Sequence, residues 1–397
     1  MVVSKKLNYN LKQYLLYSSI FAVFTEAFFF HFIIDLKLLY LIIILNYTLV
    51  FLINKTIHIN KYFLIVLVSL LIHALIANII IGIPPNYALA QIIGISIIGV
   101  YYYNFIPMFD FIIIKKIYLK MSLWAAIIAY PMYFMGISFN PQGDQRLCSI
   151  FTEPAHYAIV VIPACYYYLK IKNYIPFLII FITLIISSSS LGYLGIALIF
   201  ILPNISLKRI LFLLISIPFI LITFVYIYNE YNFFKLRVDD TIESLNAVNT
   251  GKFKEYTNLS SYALLSNVFI ANQNLQDHPF GSGIGSHVYV HKNVYFHRMS
   301  PPKYLYVMKR ADTNANDANS LFTRMASEIG YIGIFVVIMF LWHSKKYFLN
   351  KKFYLSQGLI IYILLKLFRD GHYFPPEFFF FIWLIYYEVI NVRKAQI

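Results

Sequence analysis

Two short stretches of the chain concentrate side chains able to move protons and to hold anions. In RLCSIFTEPAH, Arg146, Glu153 and His156 fall within eleven residues, and in RDGHY, Arg369, Asp370, His372 and Tyr373 fall within five. A carboxylate or an imidazole can take the proton of an attacking hydroxyl, and histidine's unperturbed pKa near 6.5 suits it to that work. A guanidinium offers a planar fork that meets two phosphate oxygens at once. Together these types suit a displacement in which a hydroxyl attacks and an anionic group departs. Each stretch also has a plainer reading. Glu153 would cap the helix that Pro154 opens, with His156 on the same helix face, and Arg369 would be a boundary anchor.

The elements that must position these groups follow from composition. The 397 residues are 60% hydrophobic and only 12% charged, with a mean hydropathy of +0.69, whereas roughly a quarter of a soluble domain is charged. Many windows reach the roughly 20 apolar residues that cross a bilayer as a helix, and no alternating pattern suggests a barrel. The expected fold is all-α, a polytopic transmembrane helical bundle of about 12 spans with one large, partly helical external loop. Spans are expected at 14–34, 36–53, 62–82, 87–105, 121–137, 154–170, 173–187, 189–203, 209–229, 326–342, 353–369 and 374–391. Residues 1–229 thus hold nine spans, 230–325 the loop, and 326–397 three spans and a tail. The seventh and eighth spans split one long apolar run at Ser187 to Ser190 and are short enough to be partly re-entrant. The first run follows Lys5, Lys6 and Lys12 without a small-residue cleavage site and is read as retained.

Basic residues fix the expected orientation. Segments assigned to the cytoplasm hold 18 of the 32 Lys and Arg but only two acids, Asp110 and Glu388; the rest of the chain has 14 basic and 15 acidic residues. The net charge of +15 is therefore +16 on one side and −1 elsewhere, the pattern of a topology signal and not of a nucleic-acid groove. Both termini are then cytoplasmic, and every informative polar cluster lies outside.

The external loop is too long and too polar for a connector. Leu245, Tyr256, Leu259, Tyr262, Leu264, Leu265, Val268 and Phe269 suggest one or two helices against the bundle mouth. The stretch from His291 to Arg310 carries five Lys and Arg and no acid. Arg298 and Arg310 there suit either a headgroup belt or a clasp on a pyrophosphate. Gly281, Gly283 and Gly285 in HPFGSGIGS read as a tight turn with positive φ, not as a dinucleotide fingerprint, because no strand and crossover helix frame them. Glu26 and His31, inside the first expected span, are read as partners in hydrogen bonds between helices or as relay groups. Cys148 and Cys165 lie too far apart along one helix to pair, and no CxxC or HExxH spacing suggests a metal.

Several motifs also occur in a telling order: Arg146, Glu153-Pro154, Ser187 to Ser190, Pro279 to Gly283, Asn319, and Glu328 to Gly333. In that order the region from about 140 to 385 resembles the bacterial O-antigen polymerase and ligase superfamily of GT-C-like membrane glycosyltransferases, most closely its polymerase branch. The ligase branch usually has a histidine before the asparagine, where this chain has Asp317-Ala318-Asn319. Ala155 also stands where members commonly have serine. The resemblance implies transfer of a glycan from polyprenyl pyrophosphate to the hydroxyl of another lipid-linked repeat unit, at the external face of a bacterial inner membrane. It implies no nucleotide, cofactor or metal. It leaves room for a chain-length regulator as a partner beside the lipid bilayer. On this reading Arg146, Arg369 and Arg310, with Arg298 in reserve, hold the pyrophosphate. Glu153 is the base, partial burial tuning it, with His156 and His372 as alternatives. Asn319, Asp370 and Tyr373 contact substrate. The alternatives are a ligase moving polymer to a lipid core and, in a different class, a flippase for the same lipid-linked sugar.

Overall fold

The computed structural model describes residues 2–31, 35–140, 146–202 and 232–394, with scattered positions between 218 and 230. The protein is all-α apart from a hairpin of three-residue strands. Helices α1 (Val2–Phe21), α2 (Leu38–Asn54), α3 (Lys61–Ile81), α4 (Asn86–Phe105), α5 (Phe111–Phe134), α6 (Pro154–Lys170), α7 (Tyr174–Ile186) and α8 (Ser190–Ile201) come first. After them follow α9 (Asn232–Ser244), α10 (Leu259–Asp277), α11 (Leu321–Ile329), α12 (Tyr331–Phe348), α13 (Tyr354–Phe368) and α14 (Pro376–Lys394). The expected span at 209–229 lies mostly outside the described residues. Among the described residues, two helices, Lys61–Ile81 and Asn86–Met108, are long and apolar enough to cross a membrane, and Leu38–Asn54, Tyr174–Ile186, Ser190–Ile201 and Tyr354–Phe368 are shorter apolar helices.

Local chemistry sets the helix ends. Asn60 accepts hydrogen bonds from the amides of Tyr62 and Phe63, Asp110 from that of Ile112, and Ser320 from that of Thr323, each satisfying amides that the first turn leaves unpaired. The serine run breaks the long apolar stretch between Ile186 and Ser190: Ser188 adopts a φ of +47° and Ser189 caps α8 through the Gly192 amide. The first apolar run is not one helix to residue 34. It stops at Phe24, after which Phe29–His31 pairs antiparallel with Asp35–Lys37. The Glu26 carboxylate finds partners on Lys37 and Thr152, outside any helix, where the run ends early.

Helix α6 is the hub of the core. Its residues Tyr157 to Tyr166 are buried almost without exception, between α5, α7, α8 and α13. Gly358 lets α13 come close, since a Cβ there would meet the Pro163 carbonyl oxygen at 2.8 Å. Two tyrosines in this interior find partners: Tyr118 donates to the Val160 carbonyl at 2.8 Å, and Tyr166 donates to Gln357.

The loops that carry the sequence clusters meet at one end of the bundle. Glu26 reaches Thr152 before α6, Arg369 after α13 reaches Ser190 at the start of α8, and His73 near the end of α3 meets the Phe280 carbonyl at 2.8 Å. Gly283 packs on Ala74, and Tyr87 packs edge-on against Tyr289. The segment after residue 230 is thereby seated on the ends of α3 and α4. It holds the helices expected of it, although Leu245 and Tyr256 face outward and only Tyr262, Leu265 and Phe269 of the foreseen positions are buried.

Candidate functional site

A cavity of about 270 Å³ opens where these loops meet, lined by Glu26, Lys37, His156, Asp370, His372 and Glu377 together with the rings of Tyr40, Phe151 and Phe374. His156 from the first sequence cluster and Asp370 and His372 from the second share this space, although more than 200 residues separate them. His156 is brought there because α6 starts at Pro154, which places it in the first turn. Glu377 sits in the first turn of α14, which starts at Pro376.

Glu26 anchors one wall. It accepts from Lys37 Nζ at 2.8 Å and from the amide and hydroxyl of Thr152 at 3.0 and 2.6 Å, and its carboxylate lies 3.5 Å from His156 Nδ1. Glu26 was expected inside a helix, bonding to another helix; its partners Lys37 and Thr152 lie instead in a strand and in the loop before α6. His31 contributes its backbone to the hairpin, and its side chain lies outside the described residues.

The opposite wall is the loop 369–373. Asp370 adopts a φ of +85°, its amide donates to the Asn319 carbonyl at 2.9 Å, and its carboxylate accepts from the fully buried Lys366 at 2.7 Å and from the His372 amide at 3.1 Å. Burial alone would push this carboxyl up, but the Lys366 ammonium beside it holds it well below the usual carboxylate range. Asp317 accepts from the Asn319 and Gly371 amides and lies 3.8 Å from His372 Nε2. One ligand atom each from Asp317, Asp370 and His372 lie within 4.8 Å of one another, a donor set of oxygen and nitrogen able to take a divalent cation. The Lys366 ammonium competes with such a cation for Asp370. No metal was expected from the sequence, where no CxxC or HExxH spacing occurs.

Behind this loop is a second charged assembly. Arg324 donates through Nε to Glu328 at 3.0 Å and through Nη1 to the Gly371 carbonyl at 3.0 Å, and stacks 4.2 Å over the Tyr373 ring. Glu328, 0% exposed, also accepts from the amides of Gly285 and His287 at 2.8 and 3.2 Å. The glycine turn takes φ of +83°, +93° and +82° at Gly281, Gly283 and Gly285, and a Cβ on Gly281 would meet the Glu328 carbonyl at 2.4 Å.

The other residues singled out in the sequence are placed elsewhere. Glu153 is exposed, does not line the cavity and makes no side-chain cap hydrogen bond, so the partial burial expected to tune it is not there. Arg146 lines a separate pocket of about 140 Å³ with Ser138, Asn140 and Cys148. Arg369 donates to Ser190 Oγ at 3.3 Å. Arg298 is held by Gln273 at 2.9 Å and Asp277 at 3.4 Å and lies over Tyr295, while Arg310 is exposed. The four arginines therefore do not converge on the cavity. Asn319 is buried, its side chain accepting from Asn314 at 2.7 Å, and Tyr373 is buried against Arg324. Both support the loop from behind.

The groups that sequence reasoning passed over are Lys37, Asp317, Arg324, Lys366 and Glu377. For Glu377 a signal was present: an acid directly after Pro375-Pro376 repeats the Glu-Pro logic of a helix start at a loop already rich in charge. Known protein families and curated proteins offer no match to this chain.

Proposed function

We propose that the chain spans a bacterial inner membrane, with both termini cytoplasmic, and polymerises lipid-linked oligosaccharide repeat units at the external face. The growing glycan moves from polyprenyl pyrophosphate to the hydroxyl of another lipid-linked unit. The observation that carries this reading is the shared cavity. Imidazoles and carboxylates from two distant sequence clusters face one space at the end of the bundle where the informative loops gather. A spanning bundle is supported by apolar side chains turned outward on α3, where Ile79 and Ile80 are 85% and 74% exposed. The composition and charge asymmetry point the same way.

Pyrophosphate is already a good leaving group, so the chemistry asks the protein for orientation, a base and charge to meet the departing anion. His156 and His372 are placed to exchange protons within the cavity. Lys37 on the wall and Lys366, which pairs with the lining carboxylate of Asp370, are cations beside the reacting space; Arg146 serves a separate pocket.

The test is reconstitution of the purified protein with defined lipid-linked repeat units, with and without chelator, and a gel that resolves a ladder from single units. A ladder is expected. Unchanged single units, or polymer moved intact to a lipid core acceptor, would overturn the assignment. A label at residue 280 reporting a cytoplasmic location would overturn the orientation.

A further inference from the structure

The charged groups lining the cavity are not equally committed. Glu26 is engaged by Lys37 and Thr152, and Asp370 by Lys366. Among the described residues, the Glu377 carboxylate, half-buried on the cavity wall, has no ion pair. The hydroxyl of Tyr362, a residue 0% exposed, lies beside it, close enough to interact with the carboxylate and with no other hydrogen-bond partner. A sugar hydroxyl bound beside them would supply both groups with a further polar partner. The rings of Tyr40, Phe151 and Phe374 line the same space. Its volume, about 270 Å³, falls just below the roughly 300–1,000 Å³ of pockets for drug-sized molecules, which suits one sugar ring and not an oligosaccharide.

We propose that this cavity is the subsite for the acceptor's terminal sugar and that Glu377 is the catalytic residue that takes the acceptor hydroxyl's proton. The inference rests on the polymerase reading and deepens it. Glu377 accepts the proton as the acceptor oxygen bonds to the donor's anomeric carbon. The bond from that carbon to the pyrophosphate oxygen breaks, and the lipid pyrophosphate leaves with the electron pair. The proton then passes from Glu377 to solvent. Glu26 and Asp370 are each offset by a lysine, so Glu377 is the carboxylate on the wall without an ion pair; a uronic acid would set a second negative charge beside it, and the sugar taken is neutral or carries an amine.

The experiment uses the full chain in lipid nanodiscs with lipid-linked repeat units. Glu377→Gln should lower the initial rate at least 100-fold, within the range typical of removing a general base, and should abolish the acid limb of the pH–rate profile. Glu377→Asp should keep more activity than Glu377→Gln. Neutral or amino methyl glycosides should compete with the acceptor at least tenfold better than the uronic acid counterpart. A Glu377→Gln protein within threefold of wild type, or one that keeps the acid limb, would overturn the assignment; if that variant does not fold, an unmoved acid limb in Glu377→Asp would do so. Equal competition by the uronic acid would overturn the sugar class. A wild type that makes no ladder sinks the polymerase reading and this inference with it, whereas a wild-type ladder alongside an active Glu377→Gln sinks this inference alone.

Discussion

The cavity and the joint behind it treat charge in opposite ways, although they touch across the loop 369–373. In the joint, Arg324 and Glu328 are 2% and 0% exposed, and each makes further bonds, to the Gly371 carbonyl and to the Gly285 and His287 amides. In the cavity, groups from four stretches of chain face a common void, and among the described residues Glu377 has no ion pair there, with only the Tyr362 hydroxyl beside it. A buried charge survives folding only when it is paired and hydrogen-bonded, so the joint reads as architecture. A carboxylate without an ion pair beside a void reads as a place where something else is meant to bind. Charge in the sequence marks both equally, and ion pairing of the carboxylates is what separates them.

The contrast can be broken in order of size. Arg324→Met leaves Glu328 buried without its cation and frees the Gly371 carbonyl, and should cost about 3–5 kcal/mol of stability. Chemical denaturation of the purified variant checks this, and a loss under 1 kcal/mol would demote the joint to decoration. Next come His287 and His291, 6.1 Å apart and both 0% exposed. Burial pushes His287 well below its ordinary value and His291 down to about 4. The unfolded chain therefore binds more protons than the folded one between about pH 6.5 and 4, and stability should fall as pH drops through that window, by on the order of 3 kcal/mol. Thermal melts from pH 7.5 to 4 test the sign, and His291→Phe should flatten the dependence.

In the cavity the expected stability effects are smaller and the functional ones larger. Glu26→Gln keeps shape but weakens the bonds to Lys37 and Thr152, and should cost about 2 kcal/mol while slowing polymer formation at least tenfold. Normal ladder formation by this variant would remove Glu26 from the site. Glu377→Gln should slow the ladder at least tenfold more than Glu153→Gln, since only Glu377 lines the cavity. At the small end, Arg298→Ala removes an exposed pair with Asp277 and should cost under about 1 kcal/mol. A larger loss would mean that the basic stretch of the loop is part of the joint after all.

The sequence was informative where a local rule acts alone. Pro154 opening α6, the serine run ending α7, and glycines at positive φ in the HPFGSGIGS turn each follow from backbone sterics and the needs of helix ends, which operate within a few residues. Local rules failed at the first run, where apolar composition continued past Phe24 but Glu26 found partners on Thr152 and Lys37. The meeting of His156 with Asp370 and His372 was also foreshadowed, because both clusters were assigned to one end of the bundle.

The arginines were a different matter. A guanidinium is written identically whether it awaits phosphate, stacks on Tyr295, caps a loop through Ser190 or neutralises Glu328, and which of these holds depends on residues tens or hundreds of positions away. Composition and periodicity by themselves determined a helical chain with its polar loops gathered at one end, because hydrophobic patterning and charge asymmetry are additive along the chain. Only the tertiary structure decided which carboxylate stays unpaired. Pairing is a property of distance in space, and the contacts that satisfied Glu26 and Asp370 while leaving Glu377 facing the cavity exist only once the helices have packed.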